Sequence, residues 1–261
     1  MLNVISALIL GVIEGVTEFL PISSTAHLII ASKLLKIEQT EYQKFFEVFI
    51  QSGAILSVFV LYWSYLIKHK EVVKKVLVSF IPTAIVGFTL YYTVKNVFFE
   101  SDPLILSMLF LFGLLFLVME HLIEKKQIHL TKNLTHLTYK DAIIVGIFQS
   151  VAVIPGVSRA GIVIIAMLFL GYRRHESALY SFLLAVPTIL AASVYDLYKS
   201  YGLLTGVSSN LPILAVGFIA SFITAYLTMR WFINHLKNRT LHIFGFYRIA
   251  LAIILFTFFL R

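Results

Sequence analysis

The sequence predicts an all-α polytopic membrane protein with an inverted-topology repeat: about six transmembrane helices, plus two re-entrant helical hairpins meeting near the midplane. Three observations carry this reading. The 261 residues are 59% hydrophobic and 13% charged, against about 25% charged in soluble domains. Two apolar runs are interrupted in the middle, at Pro21 and at Pro155-Gly156. The motifs of the first half also recur in the second at a nearly constant offset.

Composition excludes several classes. There is no cysteine, so disulfides and thiolate metal sites are out. The net charge of +8 needs no nucleic acid, because Lys and Arg in such a chain mark cytoplasmic loops. No cleaved leader is expected, since the first run lacks a basic start and is interrupted by Glu14 and Glu18.

The first run, from about Leu2 to Leu35, contains Glu14-Gly-Val-Thr-Glu18-Phe-Leu-Pro21-Ile-Ser23-Ser24-Thr25-Ala-His27. Each ionisable group at membrane depth costs roughly 2.5–3.5 kcal/mol on insertion scales, so this cluster needs partners. Glu14 and Glu18, four apart, share one helical face. Two carboxylates that close either shift a pKa or hold a cation, here Mg²⁺ or Ca²⁺. Pro21 stops the helix. Ser23 or Ser24 then caps a second half-helix with His27 one turn inside it. The free N–H groups at that start suit an anion. A polar cluster that only specifies helix pairing is the plain alternative.

A charged connection, Lys36 to Lys44, leads to a span over Phe46–Leu66. The basic loop Lys68–Lys75 follows, then spans near Val76–Val94 and Leu104–His121, and a polar loop from Glu124 to Lys140. The second broken run extends from Ala142 to Gly171 and ends at Arg173-Arg174. Further spans are expected at Ser177–Tyr195, Leu211–Phe232 and Ile243–Leu260.

The repeat is read from four matches. Ala7, Gly11 and Glu14 meet Ala142, Gly146 and Gln149 at an offset of 135. Pro21-x-x-Ser24 meets Pro155-x-x-Ser158 at 134, Glu47 meets Glu176 at 129, and Pro82, Val86, Gly87 and Phe88 meet Pro212, Val216, Gly217 and Phe218 at 130. One integral membrane domain, 1–261, thus divides into units 1–121 and 140–261. Each unit holds a broken segment and three spans. An odd number of crossings inverts the second unit. Thirteen Lys and Arg then fall on one side and six on the other, which places the first side in the cytoplasm. The site is expected to open to the extracytoplasmic side of the cell membrane.

Pro155-Gly156-Val-Ser158-Arg159 supplies the second tip. A buried arginine at a half-helix start is a bidentate oxyanion clamp or the partner of Glu18 or Glu14. Arg248 could snorkel, pair with a carboxylate, or reach the ligand. Ser24 and His27 are three apart, so a Ser–His nucleophile pair is feasible, and so is water activation by His27 alone. Ser23 and Thr25 are caps or ligands. The other seven histidines are left without a role.

These motifs resemble those of the bacitracin-resistance type undecaprenyl-diphosphate phosphatases. The likeness extends to Phe46-Glu47-Val48 with Ile50-Gln51, to Phe182–Pro187, to Asp196–Ser200 and to Tyr247-Arg248. It implies removal of the terminal phosphate of a polyprenyl diphosphate lipid, helped by a divalent cation, on an inverted repeat with two re-entrant hairpins. The catalytic set is then Glu18, Ser24, His27 and Arg159. The substrate-binding set is Ser23, Thr25, Gly156, Ser158, Arg159 and Arg248, and the metal set is Glu14 and Glu18. Ala160 and Val163 depart from the family, which carries a serine and a threonine there. The competing class is a lipid-phosphate flippase or another inverted-repeat transporter, which needs the anion clamp but no nucleophile. The oligomeric state stays open, with a homodimer as one admissible assembly.

Overall fold

The computed structural model describes residues 2–38, 40–98, 101–199 and 211–259. Among these there is no strand, only an isolated bridge between Lys132 and Tyr172. The helices are α1 (Val4–Thr17), α2 (Ser24–Leu34), α3 (Glu41–Lys68), α4 (Lys70–Thr89), the single turn α5 (Tyr91–Thr93), α6 (Asp102–Glu124), α7 (Tyr139–Ser150), α8 (Arg159–Phe169), α9 (Arg174–Lys199), α10 (Leu211–Asn238) and α11 (His242–Phe259). Five of them, α3, α4, α6, α9 and α10, are long and apolar enough to cross a membrane. α11, of 18 residues, is a shorter apolar helix in the place of the sixth expected span. Most spans run further into their charged flanks than hydropathy suggested. The exception is the C-terminus of α4, where the chain tightens into α5 and a π-turn, Val94–Phe98.

The broken segments are half-length. α1 has 14 residues and α8 has 11, or roughly 21 and 16 Å at 1.5 Å per residue, well short of the ~30 Å hydrocarbon core. Each pair enters and leaves at the same end of the molecule. At one end, Lys33 at the end of α2 pairs with Asp102 at the start of α6. α1 starts at that end too, because it runs alongside α10: Gly11 packs against the Gly217 carbonyl and Gly15 against Ser221 and Thr224. At the opposite end, Tyr139 at the start of α7 donates to Glu71 at the start of α4. There the end of α8 is tied to the 124–138 loop by Lys132 N–H to Gly171 O, 3.0 Å, and Arg173 N–H to Lys132 O, 3.0 Å. Gly146 of α7 packs against the Ser79 carbonyl of α4, as Gly11 of α1 packs on α10. A Cβ at Gly11 or Gly146 would lie 2.4 or 2.3 Å from a backbone oxygen, so both seams need glycine for backbone-to-backbone approach.

The end with the α3–α4 turn, the 124–138 loop, the α8–α9 turn and the α10–α11 turn carries the larger basic set. It is locked by Glu120, fully buried. Glu120 accepts a two-pronged contact from Arg174 and a 2.8 Å bond from Leu241 N–H. Of the six bases on the other side, Lys33, Lys36, Lys44, Lys95, Lys199 and Arg261, Arg261 lies outside the described residues; Ser200, the end of the Asp196–Ser200 stretch, lies outside them too.

α8 lies at the centre. Ala160 through Leu168 are nine consecutive buried residues, as expected for a helix apolar on every face. Outer helices instead show apolar stripes, for example Ile219, Ile223, Leu227 and Trp231 on α10.

Candidate active site

Each half-helix start is built by one serine. Ser23 caps α2 with φ 72° and accepts from Ala26 N–H, and Ser158 caps α8 with φ 74° and accepts from Gly161 N–H. The left-handed backbone is rare for a non-glycine residue and is held here by the cap bond. The two caps are 135 residues apart, the offset of Glu14 and Gln149. This corrects the pairing of Ser24 with Ser158: the counterpart of Ser24 is Arg159. The proline match at 134 is one residue out of register, because the tips differ in their turns while the caps coincide. Beyond each cap, the first two N–H groups, of Ser24 and Thr25 on α2 and of Arg159 and Ala160 on α8, have no acceptor within the helix.

The two tips meet through side chains. Glu18, at the end of α1, takes Arg159 Nη2 on Oε1 at 3.0 Å and Ser24 Oγ on Oε2 at 2.5 Å. The second distance is that of an O–H···O⁻ bond. Arg159 also donates to the Ser181 carbonyl at 3.0 Å, while its Nε is buried without a partner. One carboxylate therefore joins the nucleophile candidate to the anion clamp.

The Ser24–His27 pair is not formed, because Ser24 points back to Glu18. His27 Nδ1 lies 2.8 Å from the Ser23 carbonyl and Nε2 lies 2.7 Å from the Tyr247 hydroxyl. A carbonyl only accepts, so Nδ1 carries the proton and Tyr247 donates to Nε2. Tyr247 was visible in the sequence only as part of a motif, and its contact bridges 220 positions. Ser181 was not singled out at all, since a backbone carbonyl leaves no sequence signal.

Arg248 is corrected from ligand contact to internal brace. It is fully buried and donates to five backbone carbonyls: Leu109, Pro21, Met108, Gly156 and Val157. It thus holds both tips against α6. Gly156 is likewise a turn residue. It has φ +93°, its carbonyl is taken by Arg248 at 2.7 Å, and a Cβ there would lie 2.4 Å from the Ile105 carbonyl.

Glu14 is fully buried, and both its oxygens lack a hydrogen-bond partner. Its counterpart Gln149 is buried too, but donates to Thr83 at 2.8 Å and Thr188 at 3.2 Å. Among the described residues no three of His, Cys, Asp and Glu come together as a metal set. With both Glu14 oxygens unpartnered, Glu14 and Glu18 would offer a hard cation a two-residue site, as Mg²⁺ accepts when water and substrate phosphate complete its shell. Ala160 and Val163 are buried in the core and offer no hydroxyl. Thr25 is half-buried beside the α2 start.

Comparison with known proteins gives a consistent answer. The family described as bacitracin resistance protein BacA matches residues 7–254. An undecaprenyl-diphosphatase of Aquifex aeolicus is 44% identical over 254 residues, covering 97% of this chain and 98% of that protein. One from Persephonella marina is 44% identical over 258 residues, covering 98% and 99%. One from a Sulfurihydrogenibium species is 42% identical over 253 residues, covering 97% and 98%. A family match across nearly the whole chain and full-length relatives at this identity make it a member of the bacitracin resistance protein BacA family.

Proposed function

We propose that this protein hydrolyses an undecaprenyl-like diphosphate to the lipid monophosphate, which returns the carrier to cell-envelope glycan synthesis. The observation that carries the proposal is Glu18 holding Ser24 Oγ on one oxygen and Arg159 on the other. A transporter needs the clamp but has no use for a hydroxyl held by a carboxylate.

Phosphoryl transfer is mostly positioning and charge stabilisation. In this reading Ser24 Oγ attacks the terminal phosphorus and Glu18 takes its proton. The bond from that phosphorus to the bridging oxygen breaks, and the lipid leaves as the monophosphate. Water then cleaves the phosphoserine and releases orthophosphate. The unpartnered Nε–H of Arg159 and the four free N–H groups at the two helix starts bind the equatorial oxygens. His27 Nε2, once released by Tyr247, accepts the proton of the attacking water. Ser23, Ser158 and Thr25 shape the helix starts rather than react. Glu14 and Glu18 would be the residues to hold a divalent cation, which would supply charge neutralisation of the diphosphate.

We further read units 1–121 and 140–261 as inverted repeats that divided the labour. The first contributes the carboxylates, serine and histidine, and the second contributes the arginine. The site then opens to the extracytoplasmic side, given the thirteen-to-six split of basic residues.

The test is phosphate release from a polyprenyl diphosphate by the purified protein, with and without a chelator. Ser24→Ala should abolish release while still binding the lipid, and a phosphoserine should be trapped in the wild type. Measurable turnover by Ser24→Ala would make a water activated by His27 the nucleophile. Movement of lipid phosphate between leaflets without release would make the protein a carrier. Full activity in excess chelator would remove the cation.

A further inference from the structure

We infer that the groove between α3 and α10 at the basic end of the molecule is a binding site for the headgroup of an anionic glycerophospholipid. The two helices are pressed together at the other end. A Cβ on Gly53 would lie 2.5 Å from the Phe218 carbonyl, and one on Gly217 would lie 2.6 Å from the Phe46 ring. Toward the basic end the seam opens into a cavity of about 500 Å³, lined by Leu61, Tyr62, Arg230, Trp231, Asn234 and Lys237, among others. No acidic residue lines it.

The charges there are not balanced by the protein. Two bases at this end are paired, Arg174 with Glu120 and Lys74 with Glu71. Arg230 instead lies over the Tyr226 ring, 5.7 Å from its centroid. Neither Arg230 nor Lys237 has a carboxylate partner among the described residues. Two uncompensated cations beside one cavity are a binding site for a phosphate oxyanion, and the arginine fork fits it bidentately. Asn234 adds a donor and an acceptor at ester or glycerol height.

The walls decide between a lipid and a free phosphate. Trp231 ends the outward stripe that begins at Ile219, and it is 53% exposed. Leu227 on α10 and Val60 and Leu56 on α3 continue the exposed apolar surface away from the basic end. An aromatic at the headgroup level, bases above it and an apolar track below match an anionic lipid lying against the seam. A free ion has no use for the track. None of the residues lining the groove belongs to either tip, so this site is separate from the chemistry.

The experiment uses the full chain in detergent, loaded with equal phosphatidylglycerol and phosphatidylcholine and examined by native mass spectrometry. The wild type should retain phosphatidylglycerol in preference. The double substitution R230Q/K237Q should lower that retention at least tenfold, while K125Q/K126Q, an equal charge change on the neighbouring loop, should leave it unaltered. Lys237→Gln alone, at an exposed position, should give a partial loss and keeps the test valid if the double variant fails to fold. Equal loss in K125Q/K126Q would reduce the effect to general surface charge and overturn the site. Equal retention of phosphatidylcholine, or displacement of phosphatidylglycerol by millimolar inorganic phosphate, would overturn it as well.

Discussion

Arg159 and Arg248 both lie at the tips, and they do different work. Arg159 spends two donors on Glu18 and Ser181 and keeps Nε unpartnered, so it is unfinished until an oxyanion arrives. Arg248 is finished, with its guanidinium spread over five carbonyls. Substitution should separate the two roles. Arg159→Lys keeps charge but loses the fork, and kcat should fall about 10²–10³-fold with a smaller change in KM. Steady-state kinetics check this, and near-normal turnover would leave Arg159 as a pin between the tips. Arg248→Met should act on stability instead. It strands buried carbonyls, each costing about 1–3 kcal/mol, so the thermal unfolding temperature should drop sharply along with activity.

At the scale of elements, the tips matter more than the helices that carry them. Breaking a helix at membrane depth leaves N–H groups that nothing nearby in sequence can satisfy, and a site for an anion is one stable answer. The second tip turns at Gly156, where φ is +93° and the Ile105 carbonyl leaves no room for a Cβ. Gly156→Ala should therefore destabilise by at least about 1–2 kcal/mol from the left-handed backbone alone, with the overlap adding to it. Thermal unfolding in detergent measures this. Activity should be lost even in folded protein, because α8 and Arg159 shift together. The breaks themselves were legible, since proline, glycine and serine inside an apolar run have few other meanings. The register of the caps was harder to read. Offsets of 134 and 135 both scored matches, and only the shared φ of Ser23 and Ser158 separates them.

For the whole molecule, the two hairpins enter from opposite ends, and the larger set of bases lies at the end that Glu120 locks. With the protein in sealed vesicles of native orientation, Lys36 and Lys44 should react with an impermeant amine reagent from outside. Lys125, Lys126, Lys132 and Lys140 should react only after permeabilisation. Reversed labelling would turn the molecule over and place the site opening on the cytoplasmic side.

Composition, broken apolar runs and the spacing of bases determined the membrane class and the span order and pointed to a candidate site, because insertion energy punishes every ionisable group that lacks a purpose. Tertiary structure decided who bonds to whom. Ser24 and His27 are close in sequence, yet Ser24 turns to Glu18 and His27 to Tyr247. Arg248 looked like a ligand by its charge and proved to be a brace by its burial. The physical reason is reach. Sequence periodicity reports which face of a helix a residue occupies, but the partner across a helix–helix seam is set by how the backbones approach. Here that approach is fixed by glycine contacts such as Gly11 on Gly217 and Gly146 on Ser79, which no local pattern encodes.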